Sequence, residues 1–116
     1  MRSSLLAIAL ISLATGALAS TLTTPSYTIV IETHCPEGET VCDKVTYVGV
    51  SKKTGASITL TGREIHSLGP DGITPAHFLG YLFKSGETTY FVGEDGELRV
   101  SRGSKILVQE TGVWKW

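Results

Sequence analysis

Gly80-Tyr81-Leu82-Phe83-Lys84-Ser85-Gly86-Glu87-Thr88-Thr89-Tyr90-Phe91-Val92-Gly93-Glu94-Asp95-Gly96-Glu97-Leu98-Arg99-Val100-Ser101 is the stretch that decides the fold class. Within it large apolar residues recur at every second position: Tyr81 and Phe83, Tyr90 and Val92, Leu98 and Val100. Such alternation belongs to a strand with one buried and one wet face, since a helix would repeat at about 3.6 residues. The runs are separated by Lys84-Ser85-Gly86 and Glu94-Asp95-Gly96, turns short enough to join antiparallel neighbours. Asp95-Gly96 is the strongest hairpin signal. It predicts a type I′ turn that pairs Thr88–Val92 with Glu97–Ser101.

The same rhythm extends in both directions. Upstream, Tyr27, Ile29 and Ile31 alternate with Thr28 and Glu32; Thr46, Val48 and Val50 alternate with Tyr47 and Gly49; Ile58 and Leu60 alternate with Ser57, Thr59, Thr61 and Arg63. Leu79 joins Tyr81 and Phe83, and downstream come Ile106 and Val108. Further turns fall at Lys53-Thr54-Gly55 and Arg102-Gly103-Ser104. The expected fold is all-β: a small antiparallel meander of seven to eight strands, closed as a barrel or sandwich because closure removes exposed edges. One segment, His66 to His77, interrupts the pattern with two prolines and two glycines and is expected to be an irregular loop. Thr74 before Pro75 allows a short helix over Phe78–Phe83, but Gly80 and the hairpin that follows favour a strand over Gly80–Lys84. Long loops on β scaffolds are where sites concentrate, so 66–77 is the first place to look.

The chain opens with Arg2, an apolar run from Leu5 to Leu13 and the small-residue triplet Ala17-Leu18-Ala19, the pattern of a secretory signal peptide over 1–19. The remaining 20–116 form one β-domain. No cysteine follows the cleavage position, so no lipid anchor is expected and the product should be periplasmic or secreted. In that oxidising setting Cys35 and Cys42, the two cysteines of the chain, are read as a disulfide. Closing so short a loop stabilises the fold by about 2.5 kcal/mol in the chain-entropy model. Without Arg2 there are nine Lys plus Arg against eleven Asp plus Glu, a net charge of −2 with no basic block longer than Lys52-Lys53. Electrostatic binding to nucleic acid or anionic membrane is not expected.

Catalytic and metal signatures are missing from the sequence. His66 and His77 flank the loop and could form a metal triad with Asp71 or His34, yet the spacings of zinc sites are lacking, and no metal and no cofactor is expected. There is no Gly-x-Ser-x-Gly elbow, and the cysteines account for each other, so the chain is not read as an enzyme. Near the end, Gly112-Val113-Trp114-Lys115-Trp116 puts two indoles on one side of an extended chain. They either plug the core or form a platform for a sugar ring or a partner.

Gly80-Tyr81-Leu82-Phe83-Lys84-Ser85-Gly86, followed by Tyr90-Phe91-Val92 and Ile106-Leu107-Val108, resembles the small periplasmic β-barrels that include the membrane-bound inhibitors of c-type lysozyme, and also small uncharacterised exported proteins of enterobacteria. The first resemblance implies contact with a hydrolase through Lys84, Ser85, Gly86 and Tyr81. The expected function is a non-enzymatic, protein-binding module, inhibiting a cell-wall hydrolase such as lysozyme, with 66–77 and 84–87 as contact surface. The candidate binding residues are His66, Asp71, His77, Tyr81, Lys84, Ser85, Trp114 and Trp116. The alternative is a barrel that carries a small molecule or sugar, provided Tyr81, Phe83, Tyr90 and Phe91 do not fill its interior. Thiol titration of the unreduced protein should find no free thiol; two would remove the disulfide.

Overall fold

The structure is a computed structural model describing residues 18–36, 39 and 41–116. The expected signal peptide up to Ala17, together with Glu37, Gly38 and Thr40 of the disulfide loop, lies outside the described residues. Nine strands follow in order: β1 Leu18–Thr23, β2 Tyr27–Thr33, β3 Val45–Ser51, β4 Ser57–Leu68, β5 Pro75–Ser85, β6 Thr88–Gly93, β7 Glu97–Arg102, β8 Lys105–Thr111 and β9 Val113–Lys115. From β1 to β8 each strand pairs antiparallel with the next, and β9 pairs with β1. The result is an antiparallel meander wound into a nearly closed barrel.

Seven strands follow the alternating runs seen in the sequence; β1 and β9 raise the count to nine. The alternation of β1 is weak, and its first two residues belong to the expected signal peptide. β9 is only three residues long and is a strand because it meets β1, with Val113 opposite Thr23 and Lys115 opposite Thr21. The barrel closes at Gly112, where one chain leaves β7 and crosses to β1. The Gly112 N–H donates to the Gly96 carbonyl at 2.9 Å. A side chain at position 112 would overlap the Thr23 carbonyl oxygen, so only glycine lets the two segments approach this closely.

Leu22, Ile29, Ile31, Val45, Phe83, Val92 and Leu98 are fully enclosed. Burying each such side chain contributes about 1.5–3 kcal/mol before chain entropy is set against it. Strand β3 corrects one expectation, because its buried set is Val45, Tyr47 and Gly49, while Thr46, Val48 and Val50 are only partly covered. Two apolar sets compete in this strand, and pairing chooses between them: Tyr47 stands opposite Ile31 on β2 and Leu60 on β4, both inward-facing. Such cross-strand neighbours decide which face is core.

The hairpin at Asp95-Gly96 pairs β6 with β7 as expected, Thr89 with Ser101 and Val92 with Leu98. Its turn is not type I′. That turn needs positive φ at two central residues, and here Gly96 alone has it, at 97°, with no non-glycine residue in the left-handed region. Gly96 N–H closes instead on the Gly93 carbonyl at 3.0 Å, which makes a longer loop ending in a left-handed glycine. The segment 66–77 is also more regular than expected. β4 runs to Leu68 and β5 starts at Pro75, leaving 69–74 as the turn of a long hairpin, and Gly80–Lys84 is strand.

Cys35 and Cys42 are bonded, with Cα atoms 5.7 Å apart. Their loop joins β2 to β3 at one end of the barrel, the disulfide end. The turns β1–β2, β3–β4, β5–β6 and β7–β8 mark the other. Gly112→Val should weaken the fold by at least about 1–3 kcal/mol, the usual cost of overpacking, and should release the β9 amides to hydrogen exchange. An unchanged exchange pattern would show that closure does not depend on this residue.

Candidate functional site

Between β8 and the β3–β4 turn the barrel wall is open onto a cleft of about 500 Å³. Tyr27 at the start of β2, Tyr47 on β3 and Tyr90 on β6 line it, with Ile58, Leu98, Val100, Leu107 and Val108. Its rim is Ser51, Thr54, Ala56 and Ser57. No Lys, Arg, His, Asp or Glu is among the lining residues.

Tyr47 is the floor of the cleft. It is 2% exposed, and its ring packs against Phe83 and Tyr90 at centroid distances of 5.2 and 5.5 Å. The ring lies over Gly49, where a Cβ atom would come within 2.7 Å of the phenol oxygen. The pair Tyr47 and Gly49, two apart on one strand, thus sets a large ring into a notch that any other residue would fill. Burial pushes the Tyr47 phenol well above its ordinary value of 10.0, and the negative charges that Tyr90 and Tyr27 would carry add to this.

A clasp spans the upper margin of the opening. Lys52 Nζ donates to the Thr24 carbonyl at 2.6 Å, and Lys52 N–H donates to the Ser26 carbonyl. On the other side, Ser26 N–H donates to Glu110 Oε1 at 3.1 Å, and its hydroxyl to Oε2. The β1–β2 turn is therefore tied both to the β3–β4 turn and to β8. These bonds, the Ser26 hydroxyl first, hold the Glu110 carboxyl below its ordinary value of 4.5.

The expected binding residues are dispersed. His66, Tyr81, Trp114 and Trp116 come together at the disulfide end, joined by Phe78 in a series of edge-on contacts: His66–Phe78 at 5.6 Å, Phe78–Tyr81 at 5.1 Å and Tyr81–Trp114 at 6.3 Å. Trp114 is half-buried and donates its indole N–H to the Gly93 carbonyl at 3.0 Å, so it plugs this end. Trp116 lies on it at 4.5 Å, nearly parallel and 65% exposed. Trp114 thus fits the plug reading, and Trp116 is left exposed upon it. His66 sits 3.1 Å from Glu64 Oε1, which also accepts the Cys42 N–H at 3.1 Å and ties the disulfide loop to β4.

Asp71 is occupied within its own turn, accepting the N–H groups of Ile73 and Thr74 and the Thr74 hydroxyl. These bonds lower its carboxyl to about 2. His77 is exposed, and its backbone N–H donates to the Ser67 hydroxyl at 3.0 Å. Among the described residues no histidine cluster forms. Among the described residues the one grouping with ligand spacing is Cys35, Glu39 and Asp43, and the Cys35 sulfur is spent in the disulfide.

Lys84 and Ser85 are exposed at the far end of β5, roughly 30 Å of extended chain from Pro75. The segments 66–77 and 84–87 therefore do not form a single contact surface. Of the side chains expected to fill the interior, Tyr81 and Phe83 do so and Tyr90 lines the cleft. Phe91 takes the opposite face of β6, under the Arg99 guanidinium at 5.4 Å. Tyr27 and Tyr47 were not expected in a site. The spacing Tyr47-x-Gly49 was the signal available for the second.

Comparison with protein-family models, with curated proteins and with solved structures gives no match. Fold and site together define a small, disulfide-bonded, nearly closed β-barrel with an uncharged, tyrosine-lined cleft in its wall.

Absorbance titration of the four tyrosines should show a late fraction, with Tyr81 raised by burial and by Glu64 to about 12 and Tyr47 later still. Folding favours the protonated phenols. Their stabilisation is therefore complete below pH 10.0, the ordinary phenol value, and is lost as pH rises through the raised values. Tyr47→Phe should delete the latest part of the curve; a single transition near 10 in the native protein would contradict the buried site.

Proposed function

We propose that this protein is an exported, non-enzymatic protein-binding module whose contact site is the tyrosine-lined cleft. The observation that carries this reading is the cleft itself, a concave surface of about 500 Å³ with aromatic and aliphatic walls. Tyrosine is favoured at contact sites because it offers a large rigid face and a polar tip at low entropic cost. The cleft offers nothing to move a proton near neutral pH. Its ionisable groups are phenols, the most buried of them raised further. A small disulfide-bonded β-barrel is compatible with export to the periplasm or beyond.

A second reading uses the same cleft for a neutral, ring-bearing small molecule, because its volume lies in the range of small-ligand pockets. A charged ligand would be desolvated there without a partner. Native mass spectrometry of protein purified from its own compartment separates the two readings, since a carrier would retain a bound mass. Hydrolase inhibition, which the resemblance implies, is the first activity to assay on a protein partner.

The cleft can be tested with indole as a neutral probe, followed by nuclear magnetic resonance. Shifts should concentrate at Gly49, Ser51, Val100, Leu107 and Val108. Leu107→Asp, which places a carboxylate at a half-exposed lining position, should weaken them about tenfold or more. Shifts confined to Trp114 and Trp116 would move the contact site to the disulfide end and reject the cleft.

A further inference from the structure

The cleft lies beside a strand that, among the described residues, lacks a partner on one side. β1 ends at Thr23 and the chain turns away over Thr24, Pro25 and Ser26. From Lys105 to Val108, β8 therefore has β7 on one side and, among the described residues, no strand on the other. A bulge at Leu107, between the pairs Val100–Val108 and Ser101–Ile106, interrupts the alternation of this stretch, and on either side of it the peptide groups not bonded to β7 face the gap. Ile106 and Leu107 are about half exposed there, at 53% and 47%. Most proteins cover, charge or shorten such an edge.

The banks of the gap also differ in charge from the molecule as a whole. Lys52 and Lys53 stand in the β3–β4 turn on one bank, Arg102 and Lys105 at the β7–β8 turn on the other. Of the acids at this end, Glu110 is held by Ser26, and Glu87 lies 3.9 Å from Arg102. The chain nevertheless has a net charge of −1, because acids gather at the disulfide end, among them Glu32, Asp43, Glu64, Glu94 and Asp95. An uncharged cleft between two basic banks matches a ligand that is apolar at its centre and acidic at its ends.

We propose that the cleft receives an extended peptide, uncharged and rich in β-forming residues at its centre and acidic at its ends, which pairs along the free edge of β8. This proposal rests on the cleft being the contact site. Every second side chain of such a strand would enter the cleft against Tyr47 and Tyr90, while those between face solvent. Main-chain bonds to β8 would supply affinity and the cleft would select the inward residues. The guest strand would supply the stretch of wall that β1 is too short to provide.

The test uses synthetic peptides as long as β8, capped at both ends, with valine and threonine alternating around a central tyrosine and an aspartate at each end. Binding should slow hydrogen exchange at those amides of β8 between Lys105 and Gln109 that do not bond β7. N-methylation of one peptide nitrogen that faces β8 should weaken binding about tenfold, the size of one lost hydrogen bond, and methylation of the nitrogen next to it should not. Exchanging the terminal aspartates for lysines should weaken it further, with the effect shrinking as salt is added. If indole shifts the cleft resonances but the peptides leave β8 exchange unchanged, strand pairing is overturned and the cleft reading survives. If neither probe shifts the cleft, both fall. Protection of β8 in the free protein that grows with concentration would assign the edge to a second copy of this chain and overturn the peptide.

Discussion

The barrel depends on the close approach of Gly112 to Thr23. At that point one strand stops bonding to β7 and begins bonding to β1, and the absence of a side chain lets the backbones meet. The Gly112 N–H bond to Gly96 ties this crossing to the β6–β7 turn, so two turns distant in sequence are locked together. Beyond the crossing, Trp114 reaches Gly93 and Tyr81 and seals the disulfide end. Without the crossing the meander would be an open sheet with two free edges, and the indole would have no floor.

The same closure leaves the cleft. β9 meets only the last residues of β1, from Thr21 to Thr23, so the lower part of β8 extends past the end of β1 with, among the described residues, no strand on that side. The clasp of Ser26 between Lys52 and Glu110 holds the margins of this opening at fixed positions. Because that clasp includes a carboxylate held below its ordinary value, its stabilisation is complete above pH 4.5 and is lost as pH falls through the lowered value. The opening is therefore framed by hydrogen-bonded turns. A rigid, uncharged concavity of this kind limits the entropy lost when a partner is ordered against it.

The two ends of the barrel are built differently. The disulfide end is filled: the Cys35–Cys42 loop is tied through Glu64 to β4, and the series from His66 to Trp114 packs edge to face. The cleft end is underfilled, because Gly49 contributes no side chain and Tyr47 lies down into the space. The charge of the molecule divides along the same axis. A net charge near zero conceals this division, since the separation of charge governs the local field.

Much of the fold was legible in the sequence. Alternation within Tyr81–Phe83, Tyr90–Val92 and Leu98–Val100, with glycine turns between, is a local property, because side chains of a strand take opposite faces in turn whatever surrounds them. The all-β class and the meander order followed from such local signals, and the cysteine pairing from two cysteines in a chain expected to be exported. Other features required the tertiary structure. Tyr47 faces inward because Ile31 and Leu60 stand beside it, and a run with two apolar sets contains no record of its neighbours. β9 exists only because β1 comes within bonding distance. His66, Tyr81, Trp114 and Trp116 converge while Lys84 and Ser85 lie far away, and the cleft appears where β1 stops short of β8. Alternation specifies which residues share a face of a strand, but which face is inside, and where the wall is left open, depends on pairing between residues remote in the chain.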